Sequence, residues 1–185
     1  MTTIEDLRQR MLEPLRDLKL NLEAATNGSG AGSLDAAQRW GVVVAAACAS
    51  RNAELSNAII VAARAEVSQQ VIDDGVAAAG LMAMNNVYYR FRHLIQKPSY
   101  SDMPARLRMT RIARPATNKA DFELFCLAVS AINGCETCLR SHEEAVLSGG
   151  LSESHVHDAV RLAAAVHAAA VSLELSELES LKTPA

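Results

Sequence analysis

The stretch Ile132-Asn133-Gly134-Cys135-Glu136-Thr137-Cys138-Leu139-Arg140-Ser141-His142 reads as the end of one helix, a break, and the start of another. Asn133-Gly134 is the break, which leaves Cys135 in the first turn of the new helix. Positions i, i+3 and i+7 of a helix share a face, so Cys135, Cys138 and His142 look the same way. Unpaired N–H groups and the positive end of the dipole at a helix start favour a thiolate. A close dithiol one turn from an imidazole that can take or return a proton is what reversible thiol–disulfide chemistry requires.

Working outward, residues 121–132 form the preceding helix. The cysteine helix runs to about Leu147, where Gly149-Gly150 ends it. Ser152 caps a last helix from Glu153 to about Leu175. Near the N-terminus, Leu7, Met11, Leu12, Leu15 and Leu18 have helical spacing, interrupted by Pro14. Asn27-Gly28-Ser29-Gly30-Ala31-Gly32-Ser33 is a loop by composition. Ser33 is the expected cap of a helix through Trp40 and the apolar run 42–49. Arg51-Asn52-Ala53 is read as a turn, a helix follows from Ala53 to about Val67, and Asp73-Asp74 opens another over 75–89. Residues 93–104 are looser, and 106–114 form a short basic piece stopped by Pro115. No stretch alternates as a strand does, so the expected fold class is all-α.

A shift of 82 residues lays Trp40 on Phe122 and Ala53 on Cys135. With two extra residues at Gly149-Gly150, Asp74 lies on Asp158. The expectation is one domain over 1–185 with two weakly similar helical halves: 1–105 without the dithiol and 106–185, the catalytic half, with it. Of the 185 residues half are hydrophobic and only 4% aromatic, which suits closely packed alanine- and valine-rich helices. A net charge of −3 gives no electrostatic case for nucleic acid or an anionic membrane. The start, Met1-Thr2-Thr3-Ile4-Glu5-Asp6, lacks the basic end and apolar stretch of a signal peptide. The apolar runs 42–49 and 162–173 are shorter than the roughly 20 residues a bilayer needs. The chain is therefore expected to be soluble and cytoplasmic, where four cysteines mean redox or metal chemistry rather than a structural framework.

Several readings compete for the constellation. Cys135, Cys138 and His142 are acceptable zinc ligands, with His155 or His157 folding back as a fourth, although the order departs from a zinc finger with two cysteines and two histidines. Two merely buried thiols are disfavoured by the polar neighbours Glu136, Thr137, Arg140 and Ser141. A thioredoxin-like site is excluded because no strand precedes Ile132. Glu123, one helix upstream, could orient His142 if the two helices pack together; the alternative is a solvated carboxylate near a helix N-terminus. Cys48 and Cys126 are read as inert core thiols, His167 as a hydrogen-bonded core histidine, and Met82 and Met84 as packing residues. Tyr88, Tyr89, Arg90 and Arg92 could line a pocket or an interface.

Taken together, Asp17-Leu18-Lys19-Leu20-Asn21-Leu22, Met82-Ala83-Met84-Asn85-Asn86-Val87-Tyr88-Tyr89-Arg90, Leu107-Arg108-Met109 and Phe122-Glu123-Leu124, followed by Ala128-Val129-Ser130-Ala131-Ile132-Asn133-Gly134-Cys135, Cys138 and His142, resemble the AhpD alkyl hydroperoxidases. These belong to the carboxymuconolactone decarboxylase-like superfamily. The resemblance implies an all-helical subunit with duplicated halves in a homo-oligomer, commonly a trimer, with no bound metal or organic cofactor. It implies hydroperoxide reduction by the dithiol. Reductant comes from dihydrolipoyl groups on a 2-oxo acid dehydrogenase component, and a peroxiredoxin partner, AhpC, is regenerated. By position, Cys138 would attack peroxide and pass through sulfenic acid. Cys135 would be its proton donor and disulfide partner, and Glu123 and His142 the proton relay. Family members carry histidine between the cysteines where this chain has Thr137. Rival expectations are a disulfide reductase for a protein partner with little peroxidase activity, a zinc-stabilised helical module, and a decarboxylase that does not need both thiols.

Overall fold

The computed structural model describes residues 2–181; Met1 and residues 182–185 lie outside it. Ten α-helices and two short 3-10 turns make up the described residues, with no strand among them. The all-α expectation is met.

Helix α1 (Ile4–Arg10) starts at Thr3, whose hydroxyl accepts from Asp6 N–H while the Asp6 carboxylate accepts from Thr3 N–H. Pro14 sits in a 3-10 turn (Glu13–Leu15) that separates α1 from α2 (Arg16–Asn27), as its missing N–H demands. Helix α3 (Ala36–Ala49) is capped by Asp35 in a reciprocal pair with Gln38. This corrects the expected cap at Ser33, whose N–H instead donates to Asp158 Oδ2 at 2.7 Å. Helix α4 (Ala53–Ala63) is capped by Asn52 and stops four residues short of Val67. Helix α5 (Gln69–Ile95) starts before the Asp73-Asp74 pair and ends after Tyr89. Nothing between Ser68 and Gln96 stops it: Gly75 lies within it because α3 passes close, and a Cβ there would come 3.0 Å from the Gly41 carbonyl oxygen. After the short α6 (Pro98–Asp102) and α7 (Thr110–Ala113) come α8 (Lys119–Ile132), α9 (Glu136–Ser148) and α10 (Glu153–Ser176).

The halves repeat. Helices α3, α4 and α5 begin at 36, 53 and 69, and α8, α9 and α10 begin at 119, 136 and 153, displacements of 83, 83 and 84 residues. The N-caps Asp35 and Asn118, and Asn52 and Cys135, keep the displacement of 83. So do the left-handed residues Arg51 (φ 62°) and Gly134 (φ 64°) before α4 and α9. The sequence alignment at 82 is therefore one residue off in this part, although it pairs Asp74 with Asp158 correctly.

Helices α3 and α8 pack together at the centre, and each half's third helix crosses onto the other half: α5 against α8, α10 against α3. Their aspartates reach across as well. Asp74 of α5 accepts from Ala116 N–H, Thr117 N–H and hydroxyl, and Arg111, all just before α8. Asp158 of α10 accepts from Ser33 N–H, just before α3, and from Arg161. Around this cross the core gathers Trp40, Leu55, Ile59, Met82, Phe122, Phe125 and Leu162. Helix α10 is long and apolar enough to cross a membrane, which the 12-residue apolar run 162–173 does not suggest. It packs here against α2, α3 and α8, with Leu162, Val166, Ala169 and Leu173 in the core.

Candidate active site

Cys135 is the N-cap of α9 and Cys138 lies in its first turn, with Gly134 in the left-handed region supplying the reversal from α8. The two are joined as a disulfide with Cα atoms 5.3 Å apart. They differ in access. Cys135 is 0% exposed; Cys138 is 7% exposed and lines a cavity of about 380 Å³. His142, one turn on, lines the same cavity.

Helix α8 packs directly on α9, and this brings Glu123 to His142. The Glu123 Oε2 to His142 Nδ1 distance is 2.5 Å, and both side chains are buried. The alternative of a solvated glutamate at this helix start is thereby overturned. Lys119, one turn earlier on α8, forms an ion pair with the other carboxylate oxygen. Burial by itself would push the Glu123 carboxyl up, but hydrogen bonds from His142 and Lys119 outweigh it and hold the group below the ordinary glutamate value. The other ring nitrogen of His142, Nε2, lies 3.2 Å from Met82 Sδ on α5. The imidazole is thus held from both sides, and with Nδ1–H donating to the Glu123 carboxylate, Nε2 beside Met82 keeps the lone pair that can take a proton.

The turn that carries Cys135 is tied to α5. Arg90 donates to the Asn133 carbonyl oxygen. Asn133 Nδ2 donates to Asn86 Oδ1, and Asn86 Nδ2 donates to Ser130 Oγ, both at 2.9 Å. The Cys135 N–H closes the turn on the Ser130 carbonyl oxygen at 3.1 Å. The rest of the cavity lining is largely apolar, with Tyr89, Met109, Ile112 and Ala145 beside Asn85, Thr137 and Ser141.

Cys135, Cys138, His142 and Glu123 thus converge, and His155 and His157 do not join them. His155 Nδ1 lies 2.8 Å from Ser152 Oγ at the start of α10. Among the described residues no group of three or more His, Cys, Asp or Glu side chains could hold a metal ion. Cys126 is buried, which pushes its thiol well up, and half-buried Cys48 is pushed up for the same reason; neither joins the pair. His167 Nδ1 lies 3.1 Å from Ser50 Oγ, so the expected hydrogen bond is present, but the ring is half-buried and lies outside the core. Sequence reasoning missed Met82 at the imidazole, Lys119 at the carboxylate and Asn85 in the wall. The one signal for the last was a pair of asparagines inside an alanine-rich helix, where that residue is disfavoured.

The model of the Carboxymuconolactone decarboxylase family matches residues 98–177, the segment that holds this cavity's cysteine helix. The chain is 61% identical over 176 residues to the alkyl hydroperoxide reductase AhpD of Anaeromyxobacter dehalogenans (strain 2CP-C), covering 95% of this chain and 93% of that protein. The chain belongs to the AhpD family. It is also 48% identical to the AhpD of Gluconacetobacter diazotrophicus, with 93% of each chain covered. With that of Brucella canis (strain ATCC 23365) the identity is 41% over 96% of this chain and 99% of the other. An AhpD-type redox role and a disulfide-linked CxxC pair at the wall of a cavity are consistent with one another.

Proposed function

We propose that this AhpD-family chain is a dithiol peroxidase that reduces organic hydroperoxides. The observation that carries the reading is the asymmetry of the pair: Cys138 lines a cavity beside a buried His142–Glu123 couple while Cys135 is sealed behind it. In the reduced protein the Cys138 thiolate, near the unpaired amides of the first turn of α9, attacks the terminal peroxide oxygen. His142, oriented by Glu123, takes the thiol proton and returns it to the leaving alkoxide. The Cys135 thiol then condenses with the Cys138 sulfenic acid and water leaves, giving the disulfide. A dihydrolipoyl group restores the dithiol by two exchanges. The apolar wall of Tyr89, Met109, Ile112 and Ala145 favours an organic chain over hydrogen peroxide.

The reading extends to the protein's setting. It works in the cytoplasm with no bound metal or organic cofactor, on electrons from a lipoylated 2-oxo acid dehydrogenase component, and regenerates the peroxiredoxin AhpC. It assembles as a homo-oligomer, a trimer, and residues 106–185 form its catalytic half. Thr137 leaves the Glu123–His142 couple unaltered.

The test is hydroperoxide consumption driven by dihydrolipoamide in the wild type, Cys138→Ser and Cys135→Ser, with thiols counted by mass. The expected result is multiple turnover in the wild type that falls at least about 100-fold in each variant, with both thiols lost after peroxide. Fast exchange with lipoamide but no reaction with peroxide would replace this reading with a disulfide reductase. Thiols inert to both would sink it.

A further inference from the structure

Asn85 and Asn86 are neighbours on α5 and both are buried, yet their amides have opposite fates. Asn86 is paired at both ends, donating to Ser130 Oγ and accepting from Asn133 Nδ2, each at 2.9 Å. Asn85 is only 5% exposed, and its Oδ1 is buried with no hydrogen-bond partner among the described residues. The same side chain lines the cavity that holds Cys138 and His142. It lies one turn along α5 from Met82, which meets the imidazole at Nε2. A buried carbonyl without a donor costs stability, and asparagine in a helix interior costs more than alanine or leucine. Both costs fall at the wall of this one cavity. Oδ1 as it stands is closed off from the cavity, and a turn of the carboxamide about its last bond brings this orphan acceptor to the cavity face, where a ligand's donor meets it.

We propose that Asn85 binds the hydroperoxide, an inference that rests on the peroxidase reading above. An organic hydroperoxide, R–O–O–H, has one donor, its terminal O–H, and acceptor lone pairs on both oxygens. The Asn85 carboxamide complements it, Oδ1 accepting the O–H and Nδ2 donating to the inner oxygen. The terminal oxygen is thereby presented to Cys138. The Sγ–O bond forms as the O–O bond breaks, and the electron pair leaves on the inner oxygen. Nδ2–H stabilises that charge until a proton from His142 converts the alkoxide to alcohol. The sulfur is oxidised by two electrons to Sγ–OH and the peroxide is reduced by two. Thiol–disulfide exchange involves no such O–H, so Asn85 serves the peroxide half of the cycle alone.

The half-reactions separate the possibilities. Reduced wild type, Asn85→Ala and Asn85→Leu are mixed with cumene hydroperoxide and loss of the Cys138 thiol is timed by mass. The oxidised proteins are separately reduced with dihydrolipoamide, and Tm is recorded for each. The expected result is a peroxide rate constant about tenfold lower in both variants, the worth of one hydrogen bond gained in the transition state. Disulfide reduction stays within about twofold of wild type, and Tm is unchanged or higher because the orphan acceptor is gone. Wild-type peroxide rates in both variants overturn the proposal. So does an equal loss in both half-reactions with a lower Tm, which marks a packing role. A wild type that leaves cumene hydroperoxide untouched overturns the peroxidase reading itself, a result distinguishable because it precedes any variant.

Discussion

A thiol with the ordinary pKa of about 8.5 is mostly protonated at neutral pH, so the reactivity of Cys138 has to come from its surroundings. It sits in the first turn of α9, where backbone N–H groups lack helical partners, and His142 is one turn away. Glu123 decides how well that imidazole is held. Its carboxyl is kept below the ordinary range because hydrogen bonds from His142 and Lys119 outweigh burial. It therefore stays anionic as pH falls through the ordinary glutamate value of about 4.3, and its contribution is lost only in more acid solution. Replacing Glu123 by Gln is expected to slow single-turnover oxidation of Cys138 by about 10–100-fold at neutral pH; an unchanged rate would remove Glu123 from the relay. At this scale the legible part was the local part. CxxC followed by His142 is a matter of helical spacing alone, whereas Glu123, one helix upstream, reads from the residues as readily as a solvated carboxylate and only the resemblance puts it in the relay. Met82 and Asn85 reach the site through the packing of α5 on α9, about fifty residues away in the chain, and no local pattern encodes that crossing.

At the scale of helices, the two halves are latched by the aspartates on their crossing third helices. Asp74 is fully buried and accepts four hydrogen bonds from the segment before α8. Burial by itself would raise its pKa, but the donors at Thr117, Ala116 and Arg111 outweigh this and hold it below 3.8. A carboxyl lowered by folding contributes stability that is fully present above its unfolded value and lost as pH falls through the folded one. The Asp74 latch is therefore intact at neutral pH and fails below the ordinary aspartate range. Asp74→Ala is expected to cost about 3 kcal/mol at pH 7, roughly 10 °C in Tm, and the deficit against wild type should shrink in acid. A deficit that is independent of pH down to the acid limit would deny the carboxylate this part. The same helices show where sequence reasoning slipped. Alanine-rich segments slide by one residue without penalty, so the repeat seemed to lie at 82. What sets it at 83 is the capping residues and the left-handed pair Arg51 and Gly134, whose geometry is a property of the folded chain. Likewise α5 starts before its expected span because Val71 and Ile72 are buried in the core, and it runs on past Tyr89 through largely exposed residues because no breaker comes before Gln96.

Across the whole molecule the repeat places chemistry in one half and packing in the other. At the displacement of 83, Trp40 occupies the place of Glu123, Asn52 that of Cys135, Leu55 that of Cys138 and Ile59 that of His142. The three apolar ones are buried, with α1 packed on α4. The cavity, by contrast, is built from α5, α7, α8 and α9 of a single chain, so the proposed relay needs no residue from a second copy. What one chain leaves uncovered is an outer row of α5: Val76, Ala83, Val87 at 61% exposure, Phe91 and Leu94 at 70%. The homo-oligomer proposed above is expected to cover this row. The double substitution Val87→Glu with Leu94→Glu is expected to shift the sedimenting species to the monomer, at little cost in Tm because both side chains are exposed in the single chain. The monomer should still oxidise at Cys138 in a single turnover at a rate close to wild type. An unchanged sedimentation coefficient would move the interface elsewhere. A monomer that has lost its reaction with peroxide would mean that the assembly, through α5 and the Met82 and Asn85 it carries, holds the imidazole and the cavity wall in place.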